Sequence, residues 1–140
     1  MKFWDSSAVI PLCFKEPESL AIQELAKADS DIVVWWATRV ECISALSRRL
    51  REGSIPPGTE LKAKAILSAL SSVWSEVQPT EPVRLRAERL LMVHALRAAD
   101  AFQLAAALTW AQESPVGLAV VCLDQALRLA ATKEGFTALP

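Results

Sequence analysis

Hydrophobic positions along the chain follow two alternating patterns. Short apolar runs rich in β-branched and aromatic residues predict strands over residues 2–4, 32–36, 73–77, 118–123 and 136–139. Longer stretches with apolar residues at helical spacing predict helices over residues 7–14, 18–28, 39–51, 60–70, 82–96, 101–112 and 125–132. Strands that alternate with helices of this length indicate an α/β fold, with a mostly parallel central sheet between two helical layers.

Local signals refine the boundaries of these elements. Thr38 and Glu41 have the spacing of a capping box, and Pro82 is placed as a helix-start proline. The one strong internal break, residues 53–58, predicts a loop between helices rather than a domain linker. Because 140 residues without a linker suit one domain, we expect a single domain over residues 1–140.

Composition and charge exclude several classes of protein. The chain is 52% hydrophobic and 22% charged, which excludes a disordered protein. Its net charge of -1 means that any nucleic acid must be bound by a local basic patch. No apolar run reaches the ~18 residues of a membrane span, and Asp5 interrupts any signal peptide. We therefore expect a cytoplasmic protein.

Cysteine and histidine usage narrows the chemistry further. Cys13, Cys42 and Cys122 are scattered in apolar contexts, without zinc-ligand or redox spacing, and are predicted to be reduced core residues. His94 is the only histidine and is predicted to pack structurally. These features argue against a zinc hydrolase and against a disulfide scaffold.

Four acidic residues fall where an open parallel sheet binds ligands, at the carboxyl ends of its strands. Asp5 and Asp124 directly follow predicted strands, Glu41 lies in the first turn of a helix, and Asp100 opens another. Converging carboxylates repel one another unless hard divalent cations lie between them, and all-oxygen ligands suit Mg²⁺ or Mn²⁺. Such a cluster is typical of phosphodiester hydrolysis.

The same four acids have a structural interpretation. Asp5, Asp100 and Asp124 are also placed to cap helices, and Glu41 to complete the capping box with Thr38. Topology alone leaves the metal site and helix capping both open.

The motifs around these acids carry a resemblance that covers essentially the whole chain. The matching segments are Phe-Trp-Asp5-Ser6-Ser7, Val40-Glu41-Cys-Ile, Leu96-Arg97-Ala-Ala-Asp100 and Val121-Cys-Leu-Asp124. In this order and spacing they resemble the PIN domains, specifically the VapC-type toxin endoribonucleases of bacterial and archaeal toxin–antitoxin pairs.

That resemblance implies a function for the acids and their neighbours. Asp5, Glu41, Asp100 and Asp124 would be the catalytic, metal-binding acids of a Mg²⁺- or Mn²⁺-dependent endoribonuclease. Ser6 or Ser7 would supply a hydroxyl that steadies a ligand water or a phosphate. The implied partners are RNA, a cognate VapB-like antitoxin and a second copy of the chain. Two departures concern fine contacts: Cys122 replaces a usual Thr or Ser, and Gln103 replaces a frequent His.

Basic and aromatic residues supply candidate contacts to RNA and partners. Arg48 shares a helix face with Glu41 and Ser44, and Arg97 lies near Asp100. Arg48 and Arg97 are therefore candidate RNA-binding residues, although a basic helix end also complements the helix dipole. Other features concern partner contacts. One of the two tryptophans at residues 35–36 is expected to be exposed for a dimer contact. The apolar stripe of helix 18–28, which comprises Leu20, Ile22, Leu25 and Ala26, suits either a partner groove beside helix 39–51 or packing into the core.

The same residues argue against two rival functions. A phosphorelay receiver needs an acidic pair at the first strand and a mid-chain acceptor, but serines follow Asp5 and no Asp lies between Asp31 and Asp100. A phosphatase with an Asp-x-Asp start is excluded by Ser7. A catalytically inactive PIN-like RNA- or protein-binding module and an antitoxin-independent PIN nuclease remain as alternatives.

Overall fold

All five strands of the central sheet run parallel. The computed structural model describes residues 1–140. The strands are β1 (Lys2–Trp4), β2 (Ile32–Trp35), β3 (Ser75–Val77), β4 (Ala119–Val121) and β5 (Thr137–Leu139), in the order β3-β2-β1-β4-β5. Along the chain, the sheet therefore extends from β1 through β2 to β3 at one edge, and β4 and β5 then form the other half.

Seven helices connect the strands. They are α1 (Ser6–Cys13), α2 (Ser19–Ala28), α3 (Thr38–Arg51), α4 (Thr59–Ser71), α5 (Glu81–Val93), α6 (Ala98–Trp110) and α7 (Gln125–Glu134). No single helix is long and apolar enough to cross a membrane; α5 and α6 pass that test only as a pair, which is bent by 120°.

Alternating strand residues build a separate core on each face of the sheet. Trp4 and Val34 pack with α1 to α4 in a cluster of 12 buried residues. Phe3, Val33 and Trp35 pack with α5 to α7 in a cluster of 19 buried residues. The predicted α/β/α fold is confirmed. The loops that precede α1, α3 and α7 follow β1, β2 and β4 and therefore lie at the carboxyl edge of the sheet.

Every predicted strand and helix is present, but several boundaries differ. The third strand begins at Ser75 rather than Val73, because Val73 still bonds to the end of α4 and is 77% exposed. Helix α6 begins earlier than predicted, at Ala98, so Asp100 is its third residue. Trp36 lies just beyond β2 and is 51% exposed, whereas Trp35 is buried and stacks on Phe102.

The predicted capping box at the start of α3 is wrong. Thr38 is already the first helical residue, and Ala37 occupies the capping position without a side-chain hydrogen bond. Thr38 is fully buried, and its Oγ1 accepts a hydrogen bond from Gln103 on α6. Glu41 is thereby free of the capping role.

Candidate active site

The candidate site lies where the strand order reverses, between β1 and β4. Open α/β sheets bind ligands at such a switch point. Asp5 follows β1 and caps α1, accepting a hydrogen bond from the Ser7 backbone N–H at 3.0 Å. Asp124 lies three residues beyond the end of β4 and caps α7, accepting from the Leu127 N–H at 2.8 Å. The capping interpretation is correct for both acids, yet both also face the cleft.

One open cleft of about 370 Å³ brings together all four predicted acids. Its lining also includes both predicted serines and one predicted arginine. The lining residues that carry polar groups are Asp5, Ser6, Ser7, Glu41, Ser44, Arg48, Asp100 and Asp124. No three His, Cys, Asp or Glu side chains are grouped closely enough to hold a metal ion as they stand. The acids therefore share a cleft without forming a closed coordination group.

Asp5 is the most buried acid of the cleft, at 5% exposure. Burial raises the pKa of Asp5 to about 6; the Ser7 and Cys122 hydrogen bonds lower it, and the charge of Glu41 raises it further. Ser7 Oγ donates to Asp5 Oδ2 and accepts from the Leu123 N–H at 2.9 Å. Ser7 therefore organises Asp5 against the loop after β4, and Ser6 is the serine left facing the cleft.

Glu41 is held by Gln103, which in the sequence stood out only as a departure from the pattern of the PIN domains. Gln103 Nε2 donates to Glu41 Oε2 at 2.7 Å and to Thr38 Oγ1 at 3.3 Å. The only signal in the sequence was one amide among the alanines and leucines of α6.

The acids interact electrostatically in two pairs. Burial raises the pKa of Asp100, the Arg97 N–H lowers it, and the charge of Asp124 raises it. Glu41 has the same raising effect on Asp5. Repulsion within each pair favours a positive charge between its members.

The donor set fits a hard divalent cation on chemical grounds. The hydrogen bonds engage Oδ2 of Asp5, Oε2 of Glu41, Oδ2 of Asp100 and Oδ1 of Asp124, which leaves the second oxygen of each carboxylate without a donor. Free carboxylate oxygens are the ligands preferred by Mg²⁺ and Mn²⁺.

Asp124 also lines two further cavities, each of which shares lining residues with the cleft. A cavity of about 660 Å³ beside α5 and α6 contains Arg97, His94 and Asp100. A cavity of about 300 Å³ beside α3 contains Arg48 and Ser7. We call these three adjoining spaces the acidic trough. Of the two predicted RNA-binding arginines, Arg48 lines the central cleft and the smaller cavity, and Arg97 lines the larger cavity.

The apolar stripe of helix 18–28, for which a partner groove and core packing were both open, is divided between the core and the surface. The largest cavity, about 940 Å³, lies between the end of α1, the start of α2 and α4, and α3 contributes none of its lining. Ile22 of the stripe is fully buried in the core, whereas Leu20 is 78% exposed and lines this cavity. The sequence could not distinguish the two, because both lie on an amphipathic helix.

The family model for the PIN domain matches residues 2–114. The chain belongs to the PIN domain family. Asp5, Glu41 and Asp100 of this PIN domain lie inside the matched range, and Asp124 lies beyond it. No curated protein matches the chain significantly.

Solved structures with the same fold cover the PIN domain almost end to end. FitAcB from Neisseria gonorrhoeae is 15% identical, with a TM-score of 0.58, over 100% of this chain and 97% of that one. PAE2754 from Pyrobaculum aerophilum is 21% identical, with a TM-score of 0.63, over 97% and 87%. FitAB bound to an IR36 DNA fragment is 15% identical, with a TM-score of 0.59, over 99% and 94%. At these identities the likeness establishes the fold.

Proposed function

We propose that this PIN domain is a Mg²⁺- or Mn²⁺-dependent endoribonuclease and the toxin of a VapBC-type toxin–antitoxin pair. PIN domains are generally nucleases. The observation that carries the proposal is the meeting of Asp5, Glu41, Asp100 and Asp124 in one cleft at the switch point of the sheet. Helix capping engages one oxygen of each of Asp5, Asp100 and Asp124, and the second oxygen of each has no donor.

Each acid would hold the cation through its free oxygen, and the cation, when bound, would supply Lewis-acid activation of water and charge neutralisation at the phosphodiester. The protein's own part is to keep these carboxylates ionised and oriented. Ser7 and Cys122 do so for Asp5 by donating hydrogen bonds to Oδ2. Ser6 is available to hydrogen-bond a water or a phosphate oxygen, because it lines the cleft.

The substrate path follows the acidic trough. Arg48, which lines the central cleft, and Arg97, which lines the larger cavity, would bind phosphates of the RNA backbone. Because the chain carries a net charge of -1, this local pair supplies the attraction that the overall field does not. RNA is the proposed substrate class on the strength of the VapC-like motifs.

The proposed partners follow from analogy and from exposed surface. The FitAB structure is bound to a DNA fragment, and by analogy we propose a VapB-like antitoxin that binds this chain and carries the DNA contacts. Trp36, which is 51% exposed, is the apolar side chain that we propose for a homodimer contact. All three cysteines are free and buried, which suits the reducing cytoplasm that we propose as the site of action.

Cleavage of a mixed tRNA and rRNA pool tests the activity. The purified chain is assayed with Mg²⁺, with Mn²⁺ and with EDTA, beside Asp5→Asn and Asp100→Asn. We expect metal-dependent cutting that EDTA abolishes and that each variant reduces by at least about 100-fold, since each loses a charged ligand.

Each other outcome points to a different conclusion. Cutting that persists in both variants would mean that the acids named here are not the site. No cutting by any form, together with RNA binding, would favour the catalytically inactive PIN-like module. Metal-dependent cutting by a chain that no neighbouring small DNA-binding protein inhibits would favour the antitoxin-independent nuclease.

A further inference from the structure

Gln103 is the one amide side chain in the buried face of α6. It is 2% exposed, and the helix around it is otherwise apolar inside. Its buried neighbours on the helix are Ala101, Leu104, Ala105, Ala106, Ala107 and Leu108. A leucine would fill such a position without any polar atom to satisfy, so the amide has a cost that its contacts must explain.

The contacts of Gln103 point to its donor group. Nε2 donates to Glu41 Oε2 at 2.7 Å and to Thr38 Oγ1 at 3.3 Å, so both of its hydrogens are used. The other end of the amide, Oε1, is buried without a partner. All hydrogen bonds of the Gln103 side chain are therefore made by its donor end. Here the short bond is the one to Glu41.

The chemistry of an amide suits the holding of a metal-binding carboxylate. Glu41 has a long side chain that reaches the cleft from α3. The bond at Oε2 restricts its rotamers and leaves Oε1 as the free oxygen. Because an amide carries no charge, Gln103 does this without neutralising Glu41, whereas a lysine or arginine would compete with the cation for it.

We propose that Gln103 is a positioning residue, which holds the Glu41 carboxylate through Oε2 so that Oε1 is presented to a divalent cation. This inference rests on the proposed function, since it assigns Gln103 a role at the same metal site.

Binding of Mn²⁺ to the full, RNA-free chain tests this role without measuring activity. Isothermal titration, checked by the electron paramagnetic resonance of free Mn²⁺, compares wild type with Gln103→Leu, Gln103→His and Glu41→Gln. Leu104→Met is the matched control, because Leu104 is equally buried on the same helix and has no polar group. Thermal unfolding of each variant shows that it is folded.

We expect Gln103→Leu to weaken Mn²⁺ binding by about 10-fold or more. Gln103→His, which retains a ring N–H donor, should restore most of that affinity, and Leu104→Met should not change it. In the Glu41→Gln background, Gln103→Leu should cause no further loss, because its effect passes through the carboxylate.

Two results would overturn the inference while leaving the metal site intact. One is wild-type affinity in folded Gln103→Leu when Glu41→Gln binds weakly. The other is an equal loss from Gln103→Leu with and without the Glu41 carboxylate. A wild-type chain that binds no Mn²⁺ would instead overturn the proposed function together with this inference.

Discussion

The thiol of Cys122 lies against the carboxylate of Asp5, with Sγ 3.6 Å from Oδ2. The two residues are 117 positions apart in the chain and meet because β1 and β4 are neighbours in the sheet. Burial raises the pKa of Asp5 to about 6, and the Cys122 contact is among the hydrogen bonds that oppose this effect. Burial also raises the pKa of Cys122, so it remains a protonated donor. A thiol is a weak donor, so the strength of the donor at position 122 determines how far this contact lowers the pKa of Asp5.

Replacing this thiol by a hydroxyl should shift the pH dependence of activity. In Cys122→Ser the O–H donates a stronger hydrogen bond to ionised Asp5, which lowers the pKa of Asp5. We expect the acid limb of the cleavage profile to move down by roughly half a pH unit. The pH–rate profile measures this, with buried Cys13→Ser as the control, because Cys13 bonds only to the Val9 carbonyl. An unchanged or higher midpoint would contradict the role assigned to Cys122.

The raised pKa of Asp5 also predicts a stability penalty in the metal-free protein. Between its ordinary value of 3.8 and about 6, the folded state binds more protons at Asp5 than the unfolded state does. The contribution of Asp5 to stability therefore falls as pH rises through that window, and the full cost of roughly 3 kcal/mol applies above it. Asp5→Asn removes the buried charge and should raise Tm at pH 7.5 by several degrees.

The pH dependence distinguishes this effect from a general change in packing. We expect the Tm difference between Asp5→Asn and the wild type to be smaller at pH 5 than at pH 7.5. At pH 7.5 the difference should also be smaller in Mg²⁺ than in EDTA, because Mg²⁺ stabilises the wild type. Thermal unfolding in EDTA and in Mg²⁺ measures both differences, with exposed Asp31→Asn as the control. If Asp5→Asn is no more stable than the wild type at pH 7.5 in EDTA, the buried charge of Asp5 does not destabilise the fold.

The acidic trough predicts that Arg48 and Arg97 act on substrate binding rather than on chemistry. Arg48→Ala and Arg97→Ala should each raise KM for RNA by about 10-fold and reduce the slope of log affinity against log salt by about one. The value of kcat should change little. Arg51→Ala is the control, because Arg51 is exposed at the end of α3 and lines none of the three spaces. A loss from Arg51→Ala as large as the others would indicate non-specific attraction instead.

The sequence predicted what depends on local pattern. Strands and helices follow from apolar periodicity, and the placement of Asp5 and Asp124 at one sheet edge follows from parallel topology. Helix starts were harder, because Thr38 satisfies the capping-box spacing as well inside α3 as before it. The spacing therefore predicted a capping box, whereas the fold uses Thr38 for a buried hydrogen bond with Gln103.

Contacts between distant elements could not be read from the sequence. Gln103 and Glu41 are 62 residues apart, and their hydrogen bond depends on where α6 and α3, which pack on opposite faces of the sheet, approach each other at its edge. The position of the largest cavity likewise depends on α4 packing near α1, which no periodicity in either helix encodes. His94 was expected to pack structurally, and its polar partner, Glu134, lies 40 residues away.

That partner carries the last prediction, which concerns stability. Glu134 accepts from Arg89 at 2.9 Å and pairs with His94 Nε2 at 2.7 Å, which ties the end of α5 to the end of α7. Burial raises the pKa of Glu134, but these two hydrogen bonds outweigh it and lower the pKa below its ordinary value. Glu134 therefore contributes stability above its ordinary pKa that is lost as pH falls through the lowered one.

Glu134→Gln should destabilise the fold at pH 7 by about 1 to 2 kcal/mol, because two charge-assisted bonds are weakened and His94 is only 6% exposed. Urea unfolding measures this loss beside Glu24→Gln, whose partner Lys27 is 70% exposed and whose removal should cost less than about 0.5 kcal/mol. Equal effects of the two substitutions would show that the Glu134 pairs stabilise no more than an ordinary surface ion pair.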